Sequence, residues 1–340
     1  MGGKELSLSI IIPMYNVAPY VERCLRSLAN QDIPNEEYEI ICVNDGSPDR
    51  CREIVEELQR EISNIVLLDQ ENQGVSVARN KAMARARGRY LLPIDPDDYL
   101  VPNCLKQALE QADRNSLDVL YCAFEIFDNH DRPIWRTDYA HLNRRIDNGC
   151  RGYFAVRGPK VKDPDRSWAI LYKAELLRKF QIDYPRKVPY LEDGLFLGKV
   201  FSVASRVGYS DADFYQRTTR PGSATNSKLF YTEQAATGFL NALQDLASHR
   251  SNFIREVSAK RLLNHIKAKF LFLLLIPLIH AGKKKQYLQV IDLIRLKQDH
   301  ELSIDGVSGY YRFIGSLYKM SPILFWYLYK PVSKLGKMIY

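Results

Sequence analysis

Leu8-Ser9-Ile10-Ile11-Ile12-Pro13 is a β-branched apolar run, and the segment after it, Ala18 to Ala29, places Val21, Leu25 and Leu28 on one face at helical spacing. A strand followed by a helix then recurs through the first 125 residues. Tyr38 to Asn44 is strand-like, Asp49 to Ile62 carries Ile54, Val55, Leu58 and Ile62 at helical intervals, and Ile65 to Leu68 is another short strand. Ser76 to Arg87 has a helical composition with Gly88 positioned as its C-cap, and Tyr90 to Ile94 returns to strand. Cys104 to Ala112 reads as helix and Val119 to Phe124 as strand. This alternation specifies an α/β fold: a Rossmann-like, mainly parallel sheet with helices on both faces and right-handed crossovers.

From Phe127 to Asp165 the periodicity fades into loops and short elements that we expect to border the acceptor side. Beyond Asn226 the pattern turns helical, over Thr232 to His249, Phe253 to Ile279 and Lys284 to Leu296. The expected organisation is therefore a catalytic domain over 1–225 and a C-terminal α-helical appendage over 226–340. Charge divides the same way. The net +8 places 17 basic against 7 acidic residues after position 225, a local +10, and leaves −2 for the rest.

The six cysteines show no C-x-x-C spacing and several fall in apolar stretches, which suits reduced core thiols of a cytosolic protein. Scattered histidines give no zinc pattern. Leu6 to Pro13 is too short for a signal peptide, and Phe270 to Ile279, with Pro277 inside it, falls short of the roughly 20 residues that span a bilayer. No nucleic-acid motif accompanies the basic tail.

Ligands on open α/β sheets bind beyond the carboxyl ends of the strands, and the unusual residues gather there. Asp95-Pro96-Asp97-Asp98 offers hard oxygen ligands for Mg²⁺ or Mn²⁺, although the same acids fit a turn or a helix start. Asn44-Asp45-Gly46-Ser47 is either a turn or a site where Asp45 meets a base N–H or a ribose hydroxyl. Tyr15 is either a packed aromatic or a stacking surface for a base. Asn72-Gln73-Gly74 before Ala78-Arg79-Asn80 makes a helix start that can meet phosphate. Glu192-Asp193 supplies either first-turn helix charges or a general base.

Taken in order, Ser9 to Asn16, Val43 to Ser47, Asn72-x-Gly74-x-x-x-Ala78-Arg79-Asn80, Asp95-x-Asp97-Asp98 and Glu192-Asp193 resemble the motif series of family-2 inverting glycosyltransferases, which have the A-type glycosyltransferase fold. Trp168, Tyr172-Lys173, Tyr215-x-Arg217 and Arg220-x-Gly222-Ser223 extend the likeness over about 225 residues. The resemblance implies transfer of a sugar from a nucleoside diphosphate, UDP foremost, to an acceptor hydroxyl. It implies Pro13, Tyr15, Asn16, Asp45, Gly74, Arg79, Asn80 and Asp95 at the nucleotide, and Asp97 with Asp95 at a Mg²⁺ or Mn²⁺ ion. Asp193 would be the base with Glu192 beside it, and Arg217, Arg220 and Ser223 would close over the diphosphate. Pro96 departs from the pattern, since relatives usually carry a small polar residue there and proline has no backbone donor.

A nucleotidyltransferase would also combine sheet, nucleotide and metal, but it calls for a glycine-rich phosphate loop that Pro13-Met14-Tyr15-Asn16 is not. A catalytically silent sugar-nucleotide scaffold is the other alternative, and the retention of Asp97 and Asp193 argues against it. The tail mixes Tyr310, Phe313, Trp326 and Tyr327 with Lys319 and Lys330, with no acid after Asp305. That mixture fits either a packed helical subdomain or peripheral attachment to the cytoplasmic membrane face, near a saccharide or lipid-linked acceptor.

Overall fold

The structure is a computed structural model that describes residues 6–128, 130, 132–158, 161, 163–188, 192–219, 233–296, 302–307 and 309–336. Every residue of β1 (Leu8–Met14) and β2 (Tyr38–Asp45) is buried, the condition of strands covered on both faces. Between them α1 (Ala18–Ala29) buries Val21, Cys24, Leu25 and Leu28. The alternation continues through α2 (Cys51–Leu58), β3 (Ile65–Gln70), α3 (Val75–Arg85) and β4 (Tyr90–Pro93). The register sets Leu8 opposite both Tyr38 and Tyr90, so β1, β2 and β4 run in parallel and their carboxyl ends lie side by side.

After β4 the sheet becomes mixed. The chain forms β5 (Tyr99–Leu100), α4 (Leu105–Arg114), β6 (Val119–Phe127), β7 (Pro133–Arg136), α5 (Gly149–Ala155), β8 (Ile170–Lys173), α6 (Ala174–Lys179), α7 (Glu192–Val203) and β9 (Val207–Thr218). The strand order is β3-β2-β1-β4-β8-β6-β9-β5, with β7 paired to β6. The late strand β8 enters between β4 and β6, antiparallel to both. The polar 127–165 stretch contributes only β7 and α5 to regular structure, yet it buries Tyr139 and Tyr153.

One local expectation is corrected. Gly88 does not cap α3, whose C-cap is Ala86 in extended conformation. Glycine is required at 88 because the chain crosses β1 there: a Cβ would lie 2.3 Å from the Ser9 nitrogen, and the Gly88 N–H donates to Ser9 Oγ at 2.8 Å. Gly88→Ala should therefore cost about 1–3 kcal/mol, the usual price of overpacking. An unchanged thermal midpoint would show that β1 can move aside.

Two compact units divide the chain: 1–187 with 192–223, and 188–191 with 224–340. The second unit contains α8 (Glu233–Phe253), α9 (Val257–His280), α10 (Lys284–Leu296), α11 (Gly309–Met320) and α12 (Pro322–Gly336). The apolar run around Pro277 is part of α9, which at 24 residues meets the length and composition of a membrane span, but 72% of its most apolar window is buried inside this unit. It packs against α8, α10, α11 and α12, as a core helix does. The tail aromatics are shared out: Tyr318, Phe325 and Tyr329 are buried, while Tyr310, Phe313 and Tyr327 are exposed.

Candidate active site

At the end of β1, Pro13 is buried opposite Val43, so the surface there belongs to Tyr15, which is 50% exposed, and to Asn16. Asn16 turns the chain with a φ of 55°, and its N–H donates to Ser47 Oγ at 2.8 Å. Asp49 accepts from the Ala18 N–H at 2.7 Å, so the loop after β2 holds the start of α1. At the end of β2, Asp45 is buried and accepts from Gln70 Nε2 (2.7 Å), the Gln73 N–H (2.8 Å) and the Gly74 N–H (2.9 Å). These bonds fix the turn that starts α3, where Gly74 adopts a φ of 89°. A carboxylate has about four acceptor positions, so Asp45 keeps room for one further donor.

Arg79 and Asn80 do more protein work than the sequence reading gives them. Asn80 exchanges both its amide groups with the backbone of Tyr184, at 2.7 and 2.8 Å, and so pins a distant segment. The Arg79 guanidinium, only 4% exposed, reaches three carboxylates: Asp95 through Nη2 at 2.8 Å, and Glu192 and Asp193 through Nη1 at 2.8 and 3.1 Å. Its Nε is buried and has no hydrogen-bond partner among the described residues, leaving one donor for a ligand or water.

Asp95, Asp97 and Asp98 bring carboxylate oxygens within 4.8 Å of one another. Asp98 is the anchored member, accepting from Tyr215 Oη at 2.6 Å and from the Thr218 N–H at 2.8 Å, while Tyr215 Oη also accepts from the Asp95 N–H. Trp168 stacks on Tyr215 with ring centroids 4.8 Å apart. Burial, then the charges of Asp97 and Asp95, push the Asp98 carboxyl well above the ordinary range. Three hard oxygen donors gathered this closely could hold a divalent cation such as Mg²⁺ or Mn²⁺, with Asp97 and Asp95 less tethered than Asp98.

Asp193 is largely buried at the start of α7, and it accepts from Ser167 Oγ at 2.7 Å as well as from Arg79. Desolvation, offset in part by Arg79 and reinforced by Glu192 and Asp95, pushes its carboxyl up to about 7. A carboxylate of that basicity is matched to proton abstraction near neutral pH. Glu192 is taken up by Arg79. Arg217 lies on β9 opposite Ile126, whereas Arg220 and Ser223 lie outside the described residues.

Ser167, Tyr184 and Arg23 join the site without having been singled out in the sequence. Tyr184 stacks on Phe196 and lies 5.1 Å from the Arg79 guanidinium. Arg23 Nη2 donates to the Asp97 carbonyl (3.3 Å) and to Thr218 Oγ1 (2.8 Å). The exposed basic face of α1 was the available signal for Arg23; Ser167 and Tyr184 carry none.

Comparison with known proteins gives the chain's likenesses. The family model for glycosyl transferase family 2 matches residues 9–175. The uncharacterized glycosyltransferase EpsJ of Bacillus subtilis (strain 168) is 33% identical over 218 residues, 64% of this chain and 62% of that protein. A poly(ribitol-phosphate) beta-glucosyltransferase of Bacillus spizizenii is 28% identical over 246 residues, 72% of this chain and 36% of its own length. The chain thus spans less than two thirds of either relative. Among solved structures, S. aureus TarS 1–349 in complex with UDP-GlcNAc superposes with a TM-score of 0.59 at 21% identity, covering 88% of this chain and 95% of that one. The fold is the A-type glycosyltransferase fold, and residues 9–175 match the glycosyl transferase family 2 model.

Proposed function

We propose that the protein is an inverting, metal-dependent hexosyltransferase that moves a sugar from a nucleoside diphosphate, UDP foremost, to a hydroxyl of a saccharide or lipid-linked acceptor during cell-surface polysaccharide or glycolipid synthesis. The observation that carries this reading is the convergence of Asp95, Asp97 and Asp98 beside a buried carboxyl, Asp193, that Arg79 binds together with Asp95. The acceptor class draws on the relative named for glucosylation of poly(ribitol-phosphate), and the donor on the structural relative that holds UDP-GlcNAc.

In this reading Asp193 takes the proton of the attacking hydroxyl as the new glycosidic bond forms and the bond to the diphosphate breaks, and a single displacement inverts the anomeric carbon. Asp97 and Asp95 would hold the Mg²⁺ or Mn²⁺ ion, which when bound would supply positive charge against the leaving diphosphate. Arg79 fixes Asp95 and Asp193 on one planar group, so metal ligand and base keep a constant separation. Tyr15 offers a face for the base, and Asp45 its remaining acceptor position.

Asp97→Ala should abolish transfer and make nucleotide binding indifferent to Mn²⁺. UDP titrations with and without Mn²⁺ measure this, and a full Mn²⁺ enhancement in the variant would remove Asp97 from the metal.

We also propose that the protein works at the cytoplasmic face of a membrane. On α11 and α12, Tyr310, Phe313, Met320, Ile323, Leu324 and Tyr327 are all exposed, and Lys319 lies among them. Apolar side chains with interspersed lysine suit a lipid interface. Phe313→Ser with Leu324→Ser should weaken flotation with anionic vesicles severalfold, and equal flotation would count against the surface.

A further inference from the structure

The second unit contains a cleft of about 840 Å³ whose lining is unlike that of the acidic site. Five cationic side chains face it: Arg250 from α8, Arg255 from the α8 to α9 connection, Lys260 and Lys267 from α9, and Lys319 from α11. Among the described lining residues the one carboxylate is Asp305, which pairs with Arg261 at 3.4 Å. Basic side chains gathered on a concave surface focus a positive potential on whatever enters. Arg255 is held in place, its Nη1 donating to the carbonyls of Ser251 (2.7 Å) and Ile254 (3.3 Å). Lys260 and Lys267 are seven residues apart on α9, which puts them on nearly the same face and ~10 Å apart along the axis. The positive charge thus extends over two helical turns, farther than one phosphate group reaches. Lys260 also lies in the first turn of a 24-residue helix, whose amino end adds its own partial positive charge.

We infer that this cleft binds a linear ligand carrying several phosphate esters, and that it holds the phosphate-bearing acceptor of the transfer reaction. The acceptor role rests on the proposed function; the polyphosphate-type recognition does not. Arginine and lysine around a cleft of this size contact successive phosphates, and the affinity comes largely from released counterions, so it falls steeply with salt.

The test uses the full chain and a double variant, Arg250→Gln and Lys260→Gln, with short-chain polyphosphate as the probe. Wild type should bind polyphosphate far more tightly than inorganic phosphate. The variant should lose at least tenfold in affinity and show a shallower dependence on salt, while its thermal midpoint and its Mn²⁺-dependent binding of UDP stay unchanged. Unchanged polyphosphate affinity in the variant overturns the inference, as does a wild type that holds inorganic phosphate equally well. Vesicles with and without phosphatidylglycerol separate the sources: if the variant loses anionic vesicles but keeps polyphosphate, the cleft reads a lipid headgroup and the polymer assignment falls. Mn²⁺-dependent binding of UDP by the wild type is measured in parallel. Its absence, with polyphosphate binding intact, defeats the proposed function and leaves the cleft as a phosphate site.

Discussion

Asp193→Asn should lower transfer by about 10²- to 10⁴-fold, the usual contribution of a positioned general base. The substitution is isosteric and keeps an oxygen to accept from Ser167 Oγ and Arg79 Nη1, so the local structure should survive it. What disappears is basicity. The sign of the pH dependence follows from the raised carboxyl: below about 7 Asp193 holds a proton and cannot take another, so the wild-type rate should climb with pH and level off above that value. The variant should lose this climb while binding UDP and Mn²⁺ as before. A variant that retains full transfer, or the same pH profile, would move the proton to another group.

Arg79→Met should have a second large effect, of a different kind. Arg79 is the cation that Asp95, Glu192 and Asp193 share, and removing it leaves buried carboxylates without a counter-charge. Breaking buried ion pairs from one side costs about 3–5 kcal/mol. The loss also removes the influence that holds the Asp193 proton affinity down, so residual activity should shift to more alkaline pH. Arg79→Lys should recover only part of both effects, because an ammonium cannot span the three carboxylates as a planar fork does. A methionine variant with the wild-type melting point and pH optimum would show that the carboxylates are held by something else.

The sequence carries the parallel half of the sheet because β1, β2 and β4 are buried along their whole length and read as largely apolar runs between helices. The predicted bounds of α1 and α10 coincide with those observed. The antiparallel part is less legible for physical reasons. Strands β5 and β8 have two and four residues, too few for any period to register. The placement of β8 between β4 and β6 follows from packing, not from chain order. At the site, the acids and Arg79 stand out as residue types, but their mutual pairing does not: Arg79 and Glu192 are separated by 113 positions. Asn80 shows the same limit, since its bonds to the Tyr184 backbone span 104 positions.

Asp98 joins two parts of the molecule through one carboxyl group, the acidic turn on one side and Tyr215 with Thr218 of β9 on the other. Such a shared group makes the two parts thermodynamically reciprocal. If a cation and its nucleotide favour the settled end of β9, whatever settles that end favours their binding by the same coupling free energy. An acceptor touching that strand end would therefore raise the affinity for donor without approaching it, and a donor would do the same for acceptor. Ordered binding of the two substrates would then need no moving domain, only a tyrosine and a backbone amide on one aspartate.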